Sequence, residues 1–250
     1  MTGPRKLKAH GLSFSYGRHP VLSGVSFSLG AGAHVVLGRN GAGKTTLIRL
    51  LAGAATAAGG TIKLGEDLLD LRTRSGRALL RHIGWLPQEF GYPPHMKVVD
   101  FVAYAAWLKE VPKEQLVSRV EAALEAADMT EQARRPLSAL SGGQLRRAGL
   151  AAATVADPEV LILDEPTAGL DPEQRDGFHR LILELRKTKV VLIATHLLED
   201  VEALAEHVMV IDAGAILWTG TTDELASTSD GPGGLQGLRQ GFRAVLGAAQ

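Results

Sequence analysis

The chain contains no cysteine. Disulfides are therefore excluded, and so is a thiolate metal site. It carries no excess of either charge, with 27 basic and 27 acidic side chains in 250 residues. Nucleic-acid binding usually needs a basic surface, so composition gives no support to a nucleic-acid partner. The first residues, Met1-Thr2-Gly3-Pro4-Arg5-Lys6-Leu7-Lys8, lack the apolar segment of a signal peptide. No stretch approaches the roughly 20 apolar residues of a membrane span. The expectation is a soluble cytosolic chain, with any membrane spans supplied by another polypeptide.

What is present is an ordinary globular composition, 45% hydrophobic and 22% charged. The length suits one large α/β domain or two small ones. Leu7, Ala9, Leu12 and Phe14 partly alternate, Gly17-Arg18-His19-Pro20 reads as a turn, and Val25, Phe27 and Leu29 alternate with Ser26 and Ser28. This pattern predicts a β-hairpin with one buried face. Residues 35–37 form a short apolar strand, and residues 45–52 a buried helix carrying Leu47, Ile48, Leu50 and Leu51. Short strands follow at 61–64 and 83–86. From there to about Ala156 the texture becomes alanine-rich and helical. Within 113–127, Leu116, Val117, Val120, Ala123, Leu124 and Ala127 share one helix face.

Strand character resumes at Val160. Asp171-Pro172 opens a helix, aspartate as N-cap and proline at its first position. Phe178, Leu181, Ile182 and Leu185 form the apolar face of that helix. A strand at 190–195, a helix at 197–204 and a hairpin over 208–211 and 216–219 complete the pattern. Strands alternating with helices predict an α/β fold with a mainly parallel sheet. Residues 227–234 read as a Ser/Gly/Pro linker. Beyond it Leu235, Leu238, Phe242, Val245 and Leu246 form a helical stripe that suits docking on the core.

Three motifs carry the chemistry. Gly38-Arg39-Asn40-Gly41-Ala42-Gly43-Lys44-Thr45 fits the P-loop pattern, with a strand before it and a helix after. Such a loop, with Thr46 continuing it, curls so that successive N–H groups face phosphate oxygens. Lys44 would neutralise β- and γ-phosphate charge, and the Thr45 hydroxyl would ligate Mg²⁺. Second, the apolar run Val160-Leu161-Ile162-Leu163 ends in Asp164-Glu165. The strand delivers both carboxylates to the sheet end where open α/β folds build ligand sites. Asp164 would hold Mg²⁺ through water, and Glu165 would act as general base on an attacking water. Third, Leu140 precedes Ser141-Gly142-Gly143-Gln144, where Ser141 reads as the cap of a helix running to Ala156 and the helix start as an anion site.

In this order and spacing the three motifs resemble the ATP-binding-cassette (ABC) ATPase family, over roughly residues 7–222. The resemblance implies a P-loop ATPase core of residues 1–88 and 157–226, with an antiparallel β subdomain and an inserted helical subdomain at about 89–156. A linker and C-terminal helix would occupy 227–250. It implies ATP and Mg²⁺ as ligands. It gives roles to four further residues: Tyr16 stacks on adenine, Gln88 links Mg²⁺ and attacking water to the helical subdomain, Asp171 reaches across a dimer, and His196 contacts the γ-phosphate. Residues 141–144 would meet the γ-phosphate held by a second copy of the chain or by a homologous subunit. Departures are small: Arg39 stands where many members have proline, and Leu145 where a polar residue is common.

Among ABC proteins, ribosome-acting members usually carry two cassettes, and DNA-acting members split the cassette with a long coiled coil. This chain has room for one cassette and shows no sustained heptads. The expectation is a transporter ATPase subunit, peripheral on the inner face of the cell membrane through a separate permease. The alternative is a soluble ABC ATPase acting on ribosome or DNA. Residues 86–101, with Pro93, Pro94 and Met96, resemble subunits that serve exporter-type permeases.

Overall fold

The computed structural model describes residues 3–228 and 233–248. β1 (Leu7–Tyr16) and β2 (His19–Leu29) form the expected antiparallel hairpin, but a longer one. His19 and Pro20, read from sequence as turn residues, pair with Tyr16 and Ser15, which leaves Gly17-Arg18 as the turn. β3 (Gly32–Leu37) runs into α1 (Lys44–Leu51). β4 (Gly59–Leu64) pairs with β1, and a two-residue β5 (Asp67–Leu68) extends that sheet to the order β2-β1-β4-β5. The short α2 (Arg74–Ala78) leads towards β6 (Ile83–Leu86).

Three helices then pack together: α3 (Val98–Leu108), α4 (Leu116–Ala126) and α5 (Gly142–Thr154). Val98, Val102, Ala106, Val120, Leu124, Met129 and Ala151 make a core of their own. Val117, placed by periodicity on the buried face of α4, is instead 68% exposed. It lies in the first turn of α4, at the margin of the stripe that Val120, Ala123 and Leu124 bury. Lys109, at the end of α3, donates to the carbonyls of Leu80 and Ile83, both at 2.7 Å. This half-buried ammonium, its pKa lowered by desolvation, pins the helical region to the strand-bearing part.

The chain returns through β7 (Val160–Asp164), α6 (Pro172–Leu185), β8 (Val190–Thr195) and α7 (Leu198–Leu204). β9 (His207–Asp212) and β10 (Ala215–Thr221) form the final hairpin, followed by the short α8 (Thr222–Ala226) and by α9 (Gly234–Gly247). The six-stranded sheet has the order β10-β9-β3-β8-β7-β6. All neighbours are parallel except β10 and β9. The fold is thus α/β with a mainly parallel sheet and a separate antiparallel one.

Both faces of the parallel sheet are covered, which explains why β3, β7 and β8 read as unbroken apolar runs. Alternate residues serve alternate faces. Val36, Ile162 and Leu192 pack with α1 and the antiparallel sheet. Val35, Leu37, Leu161, Leu163, Val191 and Ile193 pack with Phe178 and Ile182 of α6 and with Leu238 and Leu246 of α9. The C-terminal stripe therefore docks on the core. Residues 229–232, the middle of the expected linker, lie outside the described residues.

Candidate functional site

The sheet order places the C-terminal ends of β3, β8 and β7 side by side, and each end carries one part of the site. The loop after β3 turns through Gly41 and Gly43 with φ of 85° and 103°. A Cβ at Gly43 would stand 2.9 Å from the Leu22 side chain and 3.0 Å from the Val21 carbonyl, so β2 presses on a loop that only glycine can build. No side chain caps α1, so its first N–H groups remain available to an anion. Lys44 is buried. Its Nζ donates to the carbonyl oxygens of Gly38 at 2.8 Å and Arg39 at 3.3 Å.

Asp164 closes β7 beneath that loop, and the Thr45 hydroxyl donates to its Oδ1 at 3.4 Å. Burial raises the Asp164 pKa, opposed by the hydrogen bond from Thr45. Glu165 follows in the left-handed region, φ 46°, a conformation that typically costs about 1–3 kcal/mol outside glycine. Its N–H donates to the Ala194 carbonyl at 2.8 Å, which holds the strained residue against β8. One carboxylate oxygen lies near Lys44 Nζ, and the other accepts from His196 Nδ1 at 2.8 Å. An ionised carboxylate can only accept, so Nδ1 is the protonated ring nitrogen in this arrangement.

A cavity of about 520 Å³ brings together Asn40, Gly41, Gly43, Lys44, Thr45, Thr46, Gln88, Glu165 and His196, with Val21 and Arg39 at its wall. Gly38 and Ala42 are buried within the loop that frames it. One hydroxyl, Thr45, and one carboxylate, Asp164, suit Mg²⁺, which binds through one or two protein oxygens and otherwise keeps waters and phosphate oxygens.

Other expected residues lie apart from this cavity. Tyr16 ends β1, is 50% exposed and stands edge-on to Phe14 at 4.9 Å. It is not on the cavity wall. Ser141 caps α5 reciprocally: its hydroxyl accepts from Gln144 N–H at 3.2 Å, and Gln144 Oε1 accepts from Ser141 N–H at 3.1 Å. Gly143 sits against Gln174 of α6. Gly142 borders a second cavity of about 370 Å³ shared with Gln88, Arg146 and Gly169. Asp171 caps α6 and accepts from Gln174 N–H at 2.8 Å. The loop Lys44 and the α5 cap thus open onto different cavities, with Gln88 bordering both.

Sequence reasoning missed Arg146. Its guanidinium donates to the carbonyls of Pro87, at 2.9 Å, and Gln88. No local pattern announces this, because the partners are distant in sequence and both are backbone oxygens.

A family model described as ABC transporter matches residues 22–168. The chain is 37% identical to the uncharacterized ABC transporter ATP-binding protein YxlF of Bacillus subtilis, over 88% of this chain and 72% of the relative. It is 31% identical to the linearmycin resistance ATP-binding protein LnrL of the same organism, covering 96% and 78% respectively. Other relatives carry names for methionine import and for Nod factor export. Among solved structures, cbiO1 of Clostridium perfringens, part of the ABC transporter complex cbiONQ, superposes with a TM-score of 0.78 at 29% identity. That match covers 90% of this chain and 91% of cbiO1. A phosphate-type loop, a paired carboxylate and a capped glycine turn on one α/β frame, together with these likenesses, establish that the chain belongs to the ABC transporter family as an ATP-binding subunit.

Proposed function

We propose that the chain hydrolyses ATP to ADP and phosphate and couples this to export through a separate membrane permease. The observation that carries the reading is Glu165, held between Lys44 and His196 at the wall of the loop cavity. Lys44 and the free N–H groups of α1 bind and orient the phosphates. Thr45 and Asp164 hold Mg²⁺, which neutralises phosphate charge when bound. Glu165 takes the proton of the attacking water, His196 fixes that carboxylate, and Gln88 reports the state of the site to the helices.

The α5 cap does not share the cavity of Lys44, so residues 141–144 serve the phosphates of a second subunit, and Asp171 lies in the contact. Two chains close head-to-tail around two nucleotides. Tyr16, exposed at the hairpin end, supplies a stacking face for adenine. Light scattering of Glu165→Gln with and without MgATP tests this reading: a dimer only with nucleotide supports it. A strict monomer in both conditions at high concentration overturns it.

Among the described residues no helix is long and apolar enough to cross a membrane. In this reading the permease is a separate chain, and this subunit works peripherally at the inner membrane face. Tyr92 and Met96 pack into the helical core, whereas Pro93, Pro94 and His95 remain exposed. Exposed Tyr104 stacks on exposed Trp107 at 5.9 Å between ring centres, beside exposed Leu108. Aromatic side chains of this kind are enriched in protein interfaces. Export rather than import rests on the character of residues 86–101.

A further inference from the structure

Asp200 on α7 is fully buried and takes no part in the chemistry above. Its carboxylate accepts from three directions. The Thr167 hydroxyl lies 2.8 and 2.7 Å from its two oxygens. The Thr195 hydroxyl lies 2.9 Å from Oδ2, and His179 Nε2 lies 2.8 Å from Oδ1. Thr167, Thr195 and His179 are themselves buried. A desolvated carboxylate persists only when such donors satisfy it.

The three donors come from distinct places. Thr195 ends β8, and its hydroxyl also accepts from Leu197 N–H at 3.1 Å, so one oxygen spans His196. That hydroxyl lies 3.4 Å from Glu165 Oε2, but it has a single proton, and the shorter contact to Asp200 takes it. Thr167 follows Glu165 by two residues and opens the loop that turns at Gly169, φ 76°, towards Asp171. His179 lies on α6, the helix that Asp171 caps. The segment bearing Asp171 is therefore fastened to one carboxylate before and after its turn. The same carboxylate fastens the residue that precedes His196.

We infer that Asp200 is a positioning residue: a buried clamp that ties the loop bearing Asp171 to Glu165 and His196. Displacement of Asp171 by a second subunit then reaches the hydrolytic pair, while the phosphate-binding loop stays outside the clamp. This rests on the ATPase reading above.

The test is steady-state phosphate release against ATP concentration, with binding of a fluorescent ATP analogue and thermal unfolding in parallel. Asp200→Asn keeps the volume but presents an amide N–H₂ to donors. Thr167→Val keeps the shape and removes the proton, and Thr167→Ser restores it. We expect kcat to fall roughly 10- to 100-fold for Asp200→Asn and Thr167→Val, as for a misplacement on the order of an ångström. KM and analogue binding should hold, and Thr167→Ser should recover wild-type kcat. Wild-type kcat in Thr167→Val overturns the clamp, as does a Thr167→Ser variant as impaired as the valine, or a loss confined to KM. If Asp200→Asn fails to fold, the threonine pair alone decides. Wild-type protein without phosphate release that Glu165→Gln abolishes would instead overturn the ATPase reading, and the clamp with it.

Discussion

Lys44 Nζ stands 3.3 Å from Glu165 Oε1, and both side chains are only 6% exposed. Lys44, the cation we propose for phosphate, thus also pairs with Glu165, the proposed general base. On that proposal, arriving phosphates would compete for Lys44 and release Glu165 towards water. Binding and activation of the base would then be one event at a single ammonium.

Glu165→Gln should lower turnover by about 10² to 10⁴, the usual cost of losing a general base. Its affinity for MgATP should equal or exceed that of the native chain, because Lys44 is no longer shared. Phosphate release beside analogue binding checks both. Weaker binding in the variant would contradict the competition.

Lys44→Ala should abolish tight MgATP binding and also destabilise the free protein. Removing one partner of a buried pair leaves an uncompensated charge, at a cost of about 3–5 kcal/mol. Adding Glu165→Gln should restore stability but not binding. Urea unfolding of the two single variants and the double one reads the coupling. Additive losses would mean that the pair carries no mutual stabilisation.

Asp164→Asn should stabilise the nucleotide-free protein at neutral pH. Burial raises this carboxyl in the folded state above its unfolded value near about 3.9. Any stability it adds is therefore complete below the unfolded pKa and is lost as pH rises through the folded one. The asparagine should flatten that decline between acid and neutral pH in urea unfolding. It should also weaken the Mg²⁺ dependence of ATP binding. An unchanged pH slope would remove Asp164 as its source.

Trp107→Ser should leave ATP affinity unchanged and reduce flux in vesicles reconstituted with the permease. The indole is 68% exposed and contributes its face to Tyr104 rather than to the core. Unaltered flux would place the permease contact elsewhere.

The reading of the sequence succeeded where a signal is local. β3 and β7 are continuous apolar runs because the sheet is covered on both faces, and Ser141 and Asp171 announce their helices through their own caps. It failed where meaning lies in through-space partners. Arg146 reads as one more helical cation until the Pro87 and Gln88 carbonyls stand before it. Asp200 reads as the acidic first turn of a helix until three donors converge on it. β5, α2 and α8 are too short for periodicity to register.

The place of β3 in the sheet also has a meaning in time. Its two neighbours, β8 and β9, are both made well after it. A ribosome that has just released the phosphate-binding loop has released a strand with two bare edges, a hazard for pairing with foreign chains. Those edges close only when residues 190–212 emerge, and the same residues bring His196 and the carbonyl that fastens Glu165. Nascent chains cut short before β8 should bind chaperones and ignore nucleotide. ATP competence would then wait for β8 and β9, although the loop after β3 is translated well before them.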